Sequence, residues 1–94
     1  MEIKEVSLSK QAKRDLKKVP RYIVEKFQLW VDLVETNGLR SARTIPSFHD
    51  EPLKGKRKEQ RSIRLSKSYR AIYTEKTNGK IELIEVQEVN KHDY

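Results

Sequence analysis

The hydrophobic residues of this chain change period once, and that change limits the folds open to it. Ala12, Leu16 and Val19, then Ile23, Phe27, Trp30, Val31 and Val34, recur every three to four positions. Beyond residue 60 the spacing shortens: Ile63 and Leu65 alternate with Arg64, and Tyr69, Ala71 and Tyr73 alternate with Arg70, Ile72 and Thr74. The first spacing lines one face of a helix and the second one face of a strand. Helices gathered in one half and strands in the other predict an α+β fold rather than alternating βαβ units.

Local signals place the elements. Residues 2–8 alternate, with Ile3, Val6 and Leu8 among charges, and predict a first strand. Ser9 is an N-cap candidate, because its hydroxyl can accept from the first free amides of a helix. Pro20 suits the start of a second helix, where a missing N–H costs little. Asn37-Gly38 suits its end. Leu39, Ala42 and Ile45 suggest one more short turn before Pro46, and residues 46–60, with Pro46, Pro52 and Gly55, read as a loop. Asn78-Gly79 is a strong hairpin signal between the last two strands. Residues 81–89 are apolar on both phases, as in a strand covered on both sides or carrying a bulge. The expected order is β-α-α-β-β-β in one domain spanning 1–94: a mostly antiparallel sheet with two N-terminal helices on one face. Trp30 and Phe27 share the one apolar stripe of their helix and are expected in the core. The other sheet face should be partly open and lined by Arg64 and Arg70, held on strands where a functional side chain is well positioned.

Charge narrows the function. The chain has 94 residues, a net charge of +7 and 35% hydrophobic residues, so its core must depend on a few large side chains. Residues 54–70 hold Lys54, Lys56, Arg57, Lys58, Arg61, Arg64, Lys67 and Arg70 against Glu59 alone, as much net positive charge as the whole chain. A second cluster, Lys10, Lys13, Arg14, Lys17, Lys18 and Arg21, is opposed only by Asp15. Positive charge so concentrated attracts a polyanion, above all nucleic acid. With no cysteine there is no disulfide framework, thiolate nucleophile or zinc knuckle. No apolar run reaches the ~18–20 residues of a membrane span, and the first residues do not resemble a signal peptide. A cytoplasmic protein is expected.

Three widely spaced glycines (Gly38, Gly55, Gly79) form no phosphate loop, and nothing has the spacing of a nucleophile elbow. Cleaving RNA without a metal needs a base for the 2′-hydroxyl, cations for the phosphate charge and an acid for the leaving oxygen. His49, Asp50, Glu51, His92, Asp93 and the phenol Tyr94 are the acid–base candidates. No metal site or cofactor is expected.

The stretch from Phe48-His49 through Leu53-Lys54-Gly55-Lys56-Arg57 to Ser62-Ile63-Arg64-Leu65, followed by Tyr69-Arg70-Ala71-Ile72-Tyr73 and by Glu88-Val89-Asn90-Lys91-His92-Asp93-Tyr94, resembles the RelE/HigB-type toxins of bacterial type II toxin–antitoxin systems. The resemblance implies a RelE-like fold and a ribosome-dependent, metal-free endoribonuclease that cuts mRNA in the 30S A site, leaving a 2′,3′-cyclic phosphate and a 5′-hydroxyl. It implies that Arg70 and Arg64 stabilise the scissile phosphate, and that Lys54, Lys56, Arg57 and the neighbouring Lys58, Arg61 and Lys67 grip message or ribosomal RNA. His92 is similar to a C-terminal histidine used as general acid or base, Tyr94 to a terminal tyrosine that stacks on a base, and His49 to the HigB loop histidine. The terminal residues run here as His-Asp-Tyr and not in the HigB order, which leaves the roles of Asp93 and Tyr94 open and keeps His92 and Glu51 as alternatives for the base. A cognate antitoxin would hold the toxin in check. The alternatives are a ParE-type inhibitor of DNA gyrase, which shares this fold, and a catalytically inactive relative that binds only RNA or an antitoxin.

Overall fold

In the computed structural model, which describes residues 5–76 and 79–89, both periodicities become regular structure. Strand β1 (Glu5–Leu8) leads into helix α1 (Lys10–Leu16), then α2 (Arg21–Asn37) and α3 (Leu39–Arg43). The strands that follow are β2 (Glu51–Pro52), β3 (Gln60–Arg64), β4 (Tyr69–Glu75) and β5 (Lys80–Glu88). Short 3₁₀ turns at Pro46–Phe48 and Gly55–Arg57 flank β2.

The caps are local and specific. The Ala12 N–H donates to Ser9 Oγ at 3.0 Å, as the sequence suggested. Pro20 stands just before α2, and its carbonyl accepts from Ile23 N at 3.0 Å. Gly38 ends α2 and begins α3: its N–H donates to the Val34 carbonyl at 2.8 Å, and its own carbonyl accepts from Ala42 N at 3.2 Å. The backbone reverses there at φ 92°, a value that glycine adopts without a Cβ penalty.

The five strands form one sheet in the order β1-β5-β4-β3-β2. All pairings are antiparallel except β1 with β5, which is parallel. One feature departs from the expectation, and one of its alternatives is resolved. The loop over 46–60 contains the two-residue edge strand β2, which pairs Glu51 with Ser62 and Pro52 with Arg61. The doubled apolar phase of β5 resolves as a bulge: Ile72 lies opposite Glu85 and Tyr73 opposite Leu83, so Ile84 is the extra residue. The bulge is tied to the helix layer. The Ser9 hydroxyl donates to the Ile84 carbonyl at 2.6 Å, and Val86 N–H donates to Asp15 Oδ2 at 3.0 Å.

One hydrophobic cluster joins Ala12, Ile23, Phe27, Trp30, Val34, Leu39 and Ala42 of the helices to Ile63, Ala71, Tyr73, Leu83 and Val86 of the sheet. Trp30 is fully buried and meets the Tyr73 ring at 5.2 Å. Fully burying an apolar side chain contributes about 1.5–3 kcal/mol, so these few large residues anchor the helix layer. The opposite face carries the residues of the other phase: Arg64, Arg70 and Gln87 in one row, and Ser62, Ile72 and Glu85 in the next. No helix among the described residues is long and apolar enough to cross a membrane.

Candidate functional site

The antiparallel register sets Arg64 of β3 directly opposite Arg70 of β4. Directly opposed residues hold their Cβ atoms about 4.5–5.5 Å apart, and like charges in that arrangement destabilise a sheet. Among the described residues neither arginine makes an ion pair. Arg64 is exposed, and the half-buried Arg70 donates from Nε to the Gln87 side-chain carbonyl at 3.1 Å. Gln87 in turn donates to Glu85, which is paired with Arg57 at 3.3 Å. Arg57 also donates from Nε to Gln60 at 2.6 Å. Its guanidinium thus bridges β3 and β5 on the face where Ile72 is buried outside the main core.

A groove of about 210 Å³ opens beside the arginine pair. Its walls are His49, Glu51, Ser62, Arg64, Ser66, Lys67, Tyr69, Arg70 and Val89. Five of the residues singled out by sequence, namely His49, Glu51, Arg64, Lys67 and Arg70, therefore meet in one place. Lys54, Lys56 and Lys58 are exposed on the connection between β2 and β3. His92 and Tyr94 lie outside the described residues, as does Asp93.

Arg61 faces the other way. It shares the phase of Ile63, so its side chain reaches the helix side of β3 and meets Asp50, Nε to Oδ1 at 2.5 Å. The Asp50 side chain is fully buried and also accepts from the Tyr73 hydroxyl at 2.6 Å. Arg43 of α3 donates to that hydroxyl at 3.3 Å and pairs with Glu75. Burial, and then donation to Asp50, push the Tyr73 hydroxyl far above the ordinary tyrosine range. Asp50 itself, an acid–base candidate by sequence, is turned away from the groove. Arg61's inward direction was readable by carrying the alternation of Leu65 and Ile63 back two residues. Gln87 and Ser62 carried no comparable signal.

Paired cations beside a histidine and a carboxylate can hold a phosphodiester and move protons at it. No group of three or more His, Cys, Asp or Glu side chains able to hold a metal occurs among the described residues.

The sequence profile of the ParE toxin of type II toxin–antitoxin systems, parDE, matches residues 6–89. The chain belongs to the ParE toxin family. It is thus a toxin of a type II toxin–antitoxin system within the RelE/ParE superfamily. Among curated proteins, no sequence matches this ParE-family chain at a significant level. Solved structures share its fold at low identity. The crystal structure of YafQ from E. coli strain BL21(DE3) is similar with a TM-score of 0.72 and 18% identity, covering 90% of this chain and 92% of that one. The archaeal RelE–RelB complex from Pyrococcus horikoshii OT3 gives 0.70 and 21%, covering 95% and 98%. The YoeB/ParE toxin from Agrobacterium tumefaciens gives 0.64 and 22%, covering 92% and 99%.

Proposed function

We propose that this ParE-family toxin is a metal-independent endoribonuclease that cleaves mRNA in the ribosomal A site. The observation that carries the reading is the Arg64–Arg70 pair, directly opposed and without an ion-pair partner among the described residues, in a groove shared with His49 and Glu51. Such a pair is relieved by an anion placed between the two guanidinium groups, and a phosphodiester is the anion a polyanion offers.

The chemistry follows from these groups. A base, Glu51, His49 or His92, takes the 2′-hydroxyl proton. The 2′-oxygen then bonds to phosphorus while the bond to the 5′-oxygen breaks, and an acid returns a proton to that oxygen. The products are a 2′,3′-cyclic phosphate and a 5′-hydroxyl. Arg70, oriented by Gln87, and Arg64 stabilise the charge on the phosphoryl oxygens as it grows. Tyr94 serves to stack on a base. Lys54, Lys56, Arg57, Lys58 and Lys67 draw in message and ribosomal RNA.

A cognate antitoxin is the proposed protein partner; the similar E. coli DinJ–YafQ and Mycobacterium tuberculosis RelBE2 structures are both toxin–antitoxin complexes. The family match to ParE favours a second reading, inhibition of DNA gyrase without RNA cleavage. Translation of a defined message in vitro followed by primer extension separates the two. Codon-phased cuts that need ribosomes and vanish with Arg70→Ala support the nuclease. Intact message together with lost gyrase supercoiling supports the inhibitor.

A further inference from the structure

We infer that Asp50 is a positioning residue for His49 and Glu51, fixing the wall of the groove from behind; the inference rests on the nuclease reading. The segment changes side at every residue. Phe48 is buried, the His49 side chain is exposed, the Asp50 side chain is fully buried, and Glu51 is exposed. The change begins at His49, which sits at φ 45°, a left-handed backbone that a residue with a Cβ keeps only when its surroundings hold it there. Little else anchors the chain on the far side. Strand β2 offers two ladder positions, and its neighbour Leu53 adds one backbone bond, N–H to the Gln60 carbonyl at 2.9 Å.

Asp50 supplies the missing anchor. Its two carboxylate oxygens take Arg61 Nε at 2.5 Å and the Tyr73 hydroxyl at 2.6 Å, while Arg61 Nη2 also reaches the Asp50 carbonyl at 3.4 Å. Both partners are stiff. Arg61 lies on β3, and Tyr73 is wholly buried on β4 against Trp30 and takes a hydrogen bond from Arg43 of α3. One side chain therefore ties the two groove-lining residues on either side of it to two strands and a helix. It touches neither Arg64 nor Arg70. Loosening it should displace His49 and Glu51 and leave the cations in place.

The test compares Asp50→Asn and Tyr73→Phe with the parent chain, using two readouts. The chain has two histidines, so His92→Gln leaves the His49 ring signals alone in an NMR spectrum of the free protein. In both variants those signals should move or broaden. Single-turnover cleavage of ribosome-bound message should slow by up to about 10²-fold, as misplaced reacting groups do. The toxin concentration for half-saturation should stay the same, because the cations are untouched. His49 signals unmoved in a folded Tyr73→Phe protein overturn the inference, whatever the cleavage rate. Should Asp50→Asn fail to fold, Tyr73→Phe decides alone, since it keeps the ring against Trp30. If the parent chain does not cut message at all, the nuclease reading falls, and moved or unmoved His49 signals still sustain or overturn the positioning.

Discussion

Strand β3 carries two arginines three residues apart, and they live in opposite worlds. Arg61, on the helix side, has a fully buried carboxylate at 2.5 Å. Arg64, on the open side, has another arginine directly across from it. The difference follows from solvation. A charge facing the interior must be neutralised, because removing it from water unpaired is expensive. A charge at a groove can stay unpaired if water covers it until a ligand arrives. Gln87 sharpens the contrast, since its amide orients Arg70 as a carboxylate would, without cancelling the positive charge. The inner arginine is therefore spent on structure, and the outer pair keeps its field for an anion.

The largest test of that contrast is a pair of alanines. Arg61→Ala leaves Asp50 buried and uncompensated, and should lower unfolding stability by about 3–5 kcal/mol. Arg64→Ala should stay within about 0.5 kcal/mol. Equal losses in urea titrations would erase the distinction between the two faces. Next in size, Arg70→Ala should cost about 2.7–4 kcal/mol of transition-state stabilisation, a 10²–10³-fold slower cleavage, with an unchanged unfolding midpoint. Equal loss of stability would make Arg70 a structural residue like Arg61.

Tyr73→Phe removes a hydrogen bond to a charged group and should cost about 1.5–3 kcal/mol. It should also change the alkaline limb of the stability curve. The folded Tyr73 pKa lies above its unfolded value near 10, so the neutral hydroxyl's contribution is complete below that pH and is lost as pH rises toward the folded value. Stability measured from neutral to strongly alkaline pH should lose this slope in the phenylalanine variant. The smallest effect falls far from both arginine sets: Ser9→Ala should cost about 1 kcal/mol for the lost cap and leave cleavage unchanged.

Much of the frame was legible because it depends on local rules. The helical stripe through Trp30, the Ser9 cap, the stop at Gly38 and the two-phase pattern around Ile84 all act over a few residues. What escaped depends on distant partners. Alternation tells which face Val6 takes but not that β1 lies parallel to β5, with Val6 beside Ile81. Strand β2 is two residues long and contains Pro52, so it has no pattern to read. His49, Asp50 and Glu51 looked like one polar cluster of acid–base candidates. The left-handed turn at His49 separates them, and no glycine marked it. Arg61 was grouped by charge with the outer cations, although its phase already matched Ile63. The roles suggested for His92 and Tyr94 concern residues outside those described.

The strand order sets the timing of assembly. β5 is made last of the described elements, yet it lies between β1 and β4 near the middle of the sheet. Until it arrives, β1 lacks its strand partner, Asp15 and the Ser9 hydroxyl lack their Val86 and Ile84 partners, and Arg70 lacks the amide of Gln87. Contacts this distant in sequence form late and together. The β3–β4 hairpin can thus set Arg64 opposite Arg70 early, but the amide that orients Arg70 arrives only when β5 docks between β1 and β4.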